Sequence, residues 1–114
     1  MGIKTDGTLW AWGSNVGGKL GLGDTLNRSS PVQVGTSSYS QVSAGQNHSA
    51  FLGSDETIYV TGFNGYGQLG LVDVVNRSSP VQISTNSWVS ISAGNNHTLA
   101  ISLNNTLYAW GDNT

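Results

Sequence analysis

The string G-T-L-W-A-W-G-S-N at Gly7–Asn15 returns as E-T-I-Y-V-T-G-F-N at Glu56–Asn64 and as N-T-L-Y-A-W-G-D-N at Asn105–Asn113, each time 49 residues later. The flanking text moves with it. N-R-S-S-P-V-Q stands at Asn27–Gln33 and Asn76–Gln82, and A-G-Q-N-H-S at Ala44–Ser49 becomes A-G-N-N-H-T at Ala93–Thr98. Residues 1–49 align with 50–98 without a gap, and 23 of the 49 positions are identical. A fixed period of this length marks a repeat architecture, in which each unit buries its faces against its neighbours. A chain of 114 residues holds two such periods and a third of another. Met1 falls at the position of Ala50 and Leu99, so the chain is expected to be a piece cut from a longer array.

The period is filled with β structure. Glycine is frequent (16 residues) and apolar residues fall in short runs between turn residues rather than at helical spacing. Strands are expected near 8–12, 32–34, 40–44, 49–52, 57–61, 81–83, 89–93, 98–102 and 106–110. Hairpin turns are expected at 5–7, 54–56 and 103–105. Gly45-Gln46-Asn47 and Gly94-Asn95-Asn96 read as tight turns needing positive φ. Gly13 to Pro31 and Gly62 to Pro80 are long glycine-containing connectors, with Leu20, Leu22, Leu69 and Leu71 as apolar anchors between units. Pro31 and Pro80 are expected to open a strand at an edge, where a missing N–H is tolerated.

Four short antiparallel strands per period of 40–50 residues make a β-propeller blade. The expected fold is all-β: about 2.3 repeats of 49 residues, a partial propeller. The corresponding division is 1–30 partial blade plus long connector, 31–62 first complete blade, 63–79 long connector, 80–111 second complete blade, and 112–114 start of a next connector.

V-S-A-G-Q-N-H-S-A-F (Val42–Phe51), T-L-W-A-W-G-S-N (Thr8–Asn15), G-K-L-G-L-G-D (Gly18–Asp24) and N-R-S-S-P-V-Q resemble the regulator-of-chromosome-condensation repeat. The resemblance covers essentially the whole chain. It implies a propeller, seven-bladed in the family's best-known members, which at this period needs about 340 residues. His48, His97, Gly13, Gly62, Gly111, Trp12, Trp110, Pro31 and Pro80 fall on repeat positions and are expected to be structural. Two departures stand out: Thr61 replaces the tryptophan of Trp12 and Trp110, and Val72 replaces Gly23. Family relatives include a nucleotide exchange factor that docks on chromatin, ubiquitin-ligase domains and a secreted β-lactamase inhibitor, so the fold does not by itself transfer a function.

The residues that could carry chemistry are few. Cysteine is absent, which removes disulfides and thiolate metal sites. Only 9% of residues are charged and the net charge is −2; the four cations are scattered, which argues against nucleic-acid or membrane contact. Polarity comes from 16 Ser, 11 Asn and 10 Thr, a composition leaning towards an extracellular or virion protein; no signal peptide is visible. No run reaches the roughly 18 apolar residues of a membrane helix. Gly13–Lys19 spells G-x-x-x-x-G-K, but Leu20 stands where a phosphate loop needs Ser or Thr. The recurring His48 and His97, one per unit, read as scaffold bonding backbone carbonyls between blades. Trp10, Trp12, Trp88, Trp110, Tyr39, Tyr59 and Tyr108 read as core or inter-blade packing, with an aromatic binding surface as the alternative. Asn27, Asn47, Asn76, Asn96 and Asn104 begin N-x-[ST] triplets; the first four lie in repeat motifs and read as turn residues. Arg28 and Arg77, four residues after Asp24 and Asp73, form local pairs or a ring of cations on one face. With Tyr66 they are the candidate binding residues.

No catalytic residue, cofactor or metal is expected. The leading expectation is a non-catalytic scaffold with a protein partner. The alternatives are a self-assembling ring or fibre built through open blade edges, and nucleotide-exchange regulation. A ring of three copies would duplicate about 16 residues at each junction, since 1–16 and 99–114 are the same part of the period.

Overall fold

Residues 1–113 are described by a computed structural model of the chain. Ten strands run in order: β1 Gly2–Ile3, β2 Leu9–Gly13, β3 Arg28–Gln33, β4 Tyr39–Ala44, β5 His48–Gly53, β6 Ile58–Gly62, β7 Arg77–Gln82, β8 Trp88–Ala93, β9 His97–Ser102 and β10 Leu107–Gly111. A single 3-10 turn lies at Val16–Gly18, and there is no α-helix among the described residues. Three antiparallel sheets result, an N-terminal β1-β2-β3, a middle β4-β5-β6-β7 and a C-terminal β8-β9-β10.

The sheets stack face to face. Leu9, Ala11, Leu20, Val34, Tyr39 and Phe51 fill the space between the N-terminal and middle sheets. Ala50, Leu52, Ile58, Val60, Leu69, Trp88, Ile91 and Ala100 fill the next space. All six residues of β5 are buried because the middle sheet is covered on both faces. Strand β9, of the same repeat position, is covered on one face only, and its residues alternate between exposed or partly exposed and buried. The leucine anchors sit as expected: Leu20 and Leu69 are buried in the two inter-sheet cores, with Leu22 and Leu71 packed beside them.

The strand grouping differs from the sequence division. The Pro-Val-Gln strand does not head the next blade; β3 pairs with β2 and β7 with β6. The complete four-stranded unit therefore spans 39–82, flanked by two three-stranded sheets. The cause lies in the connectors. Each leaves the last residue of a strand and comes back to pair with that residue, Gly13 with Arg28 and Gly62 with Arg77. The connectors are thus long loops within a blade, and the crossings between blades are the short segments 34–38 and 83–87. The N-terminal unit also has one strand more than expected, because β1 pairs with β2.

Pro31 and Pro80 lie inside β3 and β7, not at their starts. Both are tolerated because these are edge strands and the register breaks between Arg28 and Val32, and between Arg77 and Val81. The turns at Gly45 and Gly94 contain no positive φ. Glycine is required there by space: a Cβ on Gly45 would lie 2.5 Å from His48 Cε1 and 2.3 Å from the Gly94 carbonyl oxygen. The hairpin turns do use positive φ, at Gly7, Glu56 and Asn105. The expected start of a connector at 112–114 is described through Asn113; Thr114 lies outside the described residues.

Candidate functional site

Each connector is built on one buried asparagine. Asn15 donates from Nδ2 to the Asp24 carbonyl (2.9 Å) and carboxylate (3.1 Å), and accepts the Leu20 N–H at Oδ1 (2.8 Å). Its own N–H donates to Asn27 Oδ1 at 2.8 Å. Asn64 repeats this with Asp73, Leu69 and Asn76, at 2.9 to 3.0 Å. A short polar side chain that satisfies several backbone groups lets a loop without regular structure bury its inner surface. Reading the sequence for chemistry missed Asn15 and Asn64; the available signal was an asparagine at the same place in all three copies, 15, 64 and 113.

Arg28 and Arg77 close the same loops. Each donates from Nη2 to Asp24 or Asp73 at 2.7 Å, and from Nη1 to the Leu26 or Val75 carbonyl at 2.7 and 2.6 Å. The hydrogen bond from the guanidinium, first among several donors, holds both carboxyls below the usual carboxylate range. Both pairs are local (i, i+4) and partly exposed, so each guanidinium is spent on its own connector. Tyr66 is more than half exposed and meets Phe63 edge-to-face at 6.1 Å. Further along the same connector stand Val72, Val74 and Val75, all more than half exposed, with Val72 at φ 62 where the first copy has Gly23.

The joint between the middle and C-terminal sheets turns on one main-chain carbonyl. The Gln68 carbonyl accepts the Thr98 hydroxyl and the Trp110 Nε1–H, both at 2.8 Å. Thr98 has spent its proton, so the contact of 2.9 Å with His48 Nε2 is one in which the imidazole donates. Three elements are tied: β5, the connector, and the β9–β10 hairpin. His48 thus bridges two blades as expected, through the Thr98 hydroxyl, with the His97 main chain also close enough to favour the protonated ring. Burial pushes its pKa down to about 4, so the ring is neutral at pH 7. Its Nδ1 and the Gln68 Nε2 are buried without a partner. In the preceding joint Thr61 stands in for Trp110, and its hydroxyl lies 2.9 Å from the Gly18 carbonyl and 2.8 Å from that of Arg77. Gly62 and Gly111 end their strands at φ 112 and 107, and a Cβ on either would lie within 2.6 Å of the Asn47 or Asn96 carbonyl. Gly13 ends β2 likewise at φ 102.

The outer sheets each present a face whose repeat equivalents are covered. His97, Leu99, Ile101, Leu107 and Ala109 are exposed or half-buried, whereas His48, Ala50, Leu52, Ile58 and Val60 are buried. A cavity of about 460 Å³ lies on that face, between His97, Leu99, Ala109, Trp110 and the chain after them. On the opposite end, Gly2, Ile3, Lys4, Trp10, Trp12 and Pro31 line a second, of about 410 Å³. Trp12 is 44% exposed there, while Trp110 is packed against its core. The four expected packing tryptophans therefore divide: Trp88 and Trp110 are in a joint, Trp10 and Trp12 on an open face. Among the described residues no group of three or more His, Asp or Glu side chains lies close enough to hold a metal ion. No helix is long and apolar enough to cross a membrane.

Comparison with known proteins places these features in a family. The regulator of chromosome condensation (RCC1) repeat matches residues 6–52 and 55–101, and a second description of the same repeat matches 39–68. No curated protein sequence matches the chain significantly. Among solved structures, yeast RCC1 (Prp20) bound to Kap60 superposes with a TM-score of 0.86 at 21% identity, over 96% of this chain and 29% of that one. Prp20p from Saccharomyces cerevisiae, described together with its binding to Gsp1p and histones, gives 0.83 at 23% identity over 96% and 30%. Human WBSCR16 gives 0.78 at 24% identity over 90% and 29%. The chain spans less than a third of the length of these structures, and its three sheets are a part of such a propeller. With two tandem matches across most of its length, the chain belongs to the regulator of chromosome condensation (RCC1) repeat family.

Proposed function

We propose that this chain is a non-catalytic protein-interaction module, a section of an RCC1-like propeller that offers its second connector, residues 63–76, to a protein partner. The observation that carries the reading is the set of bare apolar side chains on that loop: Tyr66, Val72, Val74 and Val75 stand in solvent on a backbone fixed by the buried Asn64. Exposed apolar clusters on a rigid support are a common form of protein-binding surface. Val72 strengthens the reading, since a β-branched residue in the left-handed region is strained and has no packing role to offset it. The proteins that the solved neighbours bind (Kap60, Gsp1p and histones) supply the first probes.

The test is a titration of each probe onto the chain and onto a variant carrying Tyr66→Ser, Val72→Gly and Val74→Ser. At least one probe is expected to bind, with affinity falling tenfold or more in the variant. Equal binding by both chains would remove the connector from the interface. Faster release of nucleotide from Gsp1p would favour the exchange-regulator reading instead.

A second reading has its own observation. The uncovered face of His97, Leu99, Ile101 and Leu107 is chemically the same as one covered inside the molecule, which supports self-assembly through outer sheets. Light scattering on the separated chain checks it: a closed oligomer of defined mass supports assembly, and a concentration-independent monomer overturns it.

A further inference from the structure

The two connectors share a buried asparagine but not the residue after it. Val16 follows Asn15, and Gly65 follows Asn64. Glycine at 65 is required by space, because a Cβ there would overlap the Phe63 ring that packs on Tyr66. Asn64 is the one asparagine of the chain with glycine after it. An Asn-Gly pair is the sequence most prone to intramolecular deamidation, since no side chain shields the amide nitrogen that attacks. In this fold the two halves of the pair have different surroundings. Gly65 is exposed, whereas Asn64 is fully buried. Asn64 Nδ2 donates to the Asp73 carbonyl and carboxylate at 3.0 and 2.9 Å, and Oδ1 accepts the Leu69 N–H at 2.9 Å. The connector is held against β9 and β10 through the Gln68 carbonyl, inside the molecule rather than at either outer sheet.

We propose that Asn64-Gly65 is a self-modification site gated by its connector: the closed loop protects it, and opening of the loop admits a deamidation that prevents reclosure. The Gly65 nitrogen, after giving its proton to hydroxide, attacks Asn64 Cγ. A C–N bond forms and closes a five-membered imide, the Cγ–Nδ2 bond breaks, and ammonia leaves with a proton from water. Water then opens the ring at either carbonyl, giving aspartate or its isoaspartyl isomer. Both products place a carboxylate where Asp73 needs a donor. Two carboxylates and the Asp73 carbonyl then face one another with no proton between them, which a buried site does not tolerate. The isoaspartyl product also lengthens the main chain by a carbon atom. The loop that carries Tyr66, Val72, Val74 and Val75 is thereby released from its support. The first connector has the same bonds around Asn15, but the branched Val16 shields the amide after it, so the site belongs to the second connector alone.

The inference concerns the connector that the functional reading offers to a partner, but its readouts need no partner, so the two succeed or fail separately. The test follows deamidation at Asn64 by peptide-mapping mass spectrometry in mildly alkaline buffer, in the full chain and in a synthetic peptide of residues 60–69. The peptide is expected to convert, and to convert at least tenfold more slowly when it carries Gly65→Val. In the folded chain Asn64 should convert at least a hundredfold more slowly than in the peptide, at a rate set by the open fraction of the loop. Low urea separates local from global opening: a nearly flat rate supports the gate, and a rate that climbs as steeply as global unfolding overturns it. Asp73→Ala removes one of the Asn64 acceptors and should speed conversion at least tenfold while β5 amides keep their protection. Asn64→Asp should speed exchange of the Leu69 amide at least tenfold with β2 and β5 unchanged. Conversion in the folded chain at the peptide's rate, or Leu69 protection indifferent to Asn64→Asp, overturns the proposal.

Discussion

Asn64 shows how much one residue can organise. Replacing it by alanine removes three side-chain hydrogen bonds and leaves the buried Leu69 amide without an acceptor. The expected loss is about 3 kcal/mol in urea unfolding, well above a surface substitution. Val72→Gly should act in the other direction, stabilising by about 1 kcal/mol, because glycine adopts φ 62 without the crowding of a β-branched side chain. His48 gives the molecule a pH dependence of defined sign. Its pKa is about 4 in the fold and near 6.5 unfolded, so above pH 6.5 both states are neutral and nothing changes. As pH falls from 6.5 towards 4 the unfolded chain takes up the proton first, and stability drops. At about 1.4 kcal/mol per pH unit the loss is on the order of 3 kcal/mol by pH 4, where it levels off. His48→Gln should flatten the slope of unfolding free energy between pH 4 and 6.5. The carboxyls of Asp24 and Asp73, held low by Arg28 and Arg77, lose their contribution only below that window. At this scale the sequence was partly legible. The Asp–Arg spacing foretold the pairs, and the Gly-x-Asn-His motif foretold an inter-blade histidine. Asn15 and Asn64 were not legible, because burial of a loop asparagine depends on where the loop folds back, and spacing says nothing of that.

Among elements, the period and the turn chemistry were enough to place nine of the ten strands to within a few residues, since alternation and glycine punctuation are local properties. Which strand belongs to which sheet was not local. The Pro-Val-Gln segment looks like the start of a unit because a proline precedes it, yet it closes the sheet before it. Only the return of each connector to its own starting glycine decides this, through the pairs Gly13–Arg28 and Gly62–Arg77. Glycine at 45 was read as a conformational need and is a steric one. Gly45→Ala drives a methyl into the Gly94 carbonyl and the His48 ring, where the contacting atoms are backbone and a buried side chain that cannot retreat. A loss of about 2–3 kcal/mol is expected, typical of overpacking a tight contact. It should appear as weakened coupling between the middle and C-terminal sheets, read as faster amide exchange in β8 and β9 than in β2.

The whole molecule is a stack of three sheets in which only the middle one is covered on both faces. Its stability should therefore be graded along the stack. Hydrogen exchange is expected to be slowest in β5 and β6 and fastest in β1 and β10, and uniform protection across all three sheets would contradict that. The joint that holds the last two sheets has a property of its own. Its acceptor is the carbonyl of Gln68, and in the other joint Thr61 reaches the carbonyl of Gly18. A peptide carbonyl comes with every amino acid, so the latch imposes no identity on the residue that provides it. A side-chain donor is still needed, but it differs between the joints, Trp110 in one and Thr61 in the other, and the acceptors, Gln68 and Gly18, have different side chains and stand one residue apart in the repeat. Tandem copies built this way can diverge in what they display while remaining interchangeable as fasteners, and an added 49-residue copy would arrive with its coupling already written in its main chain.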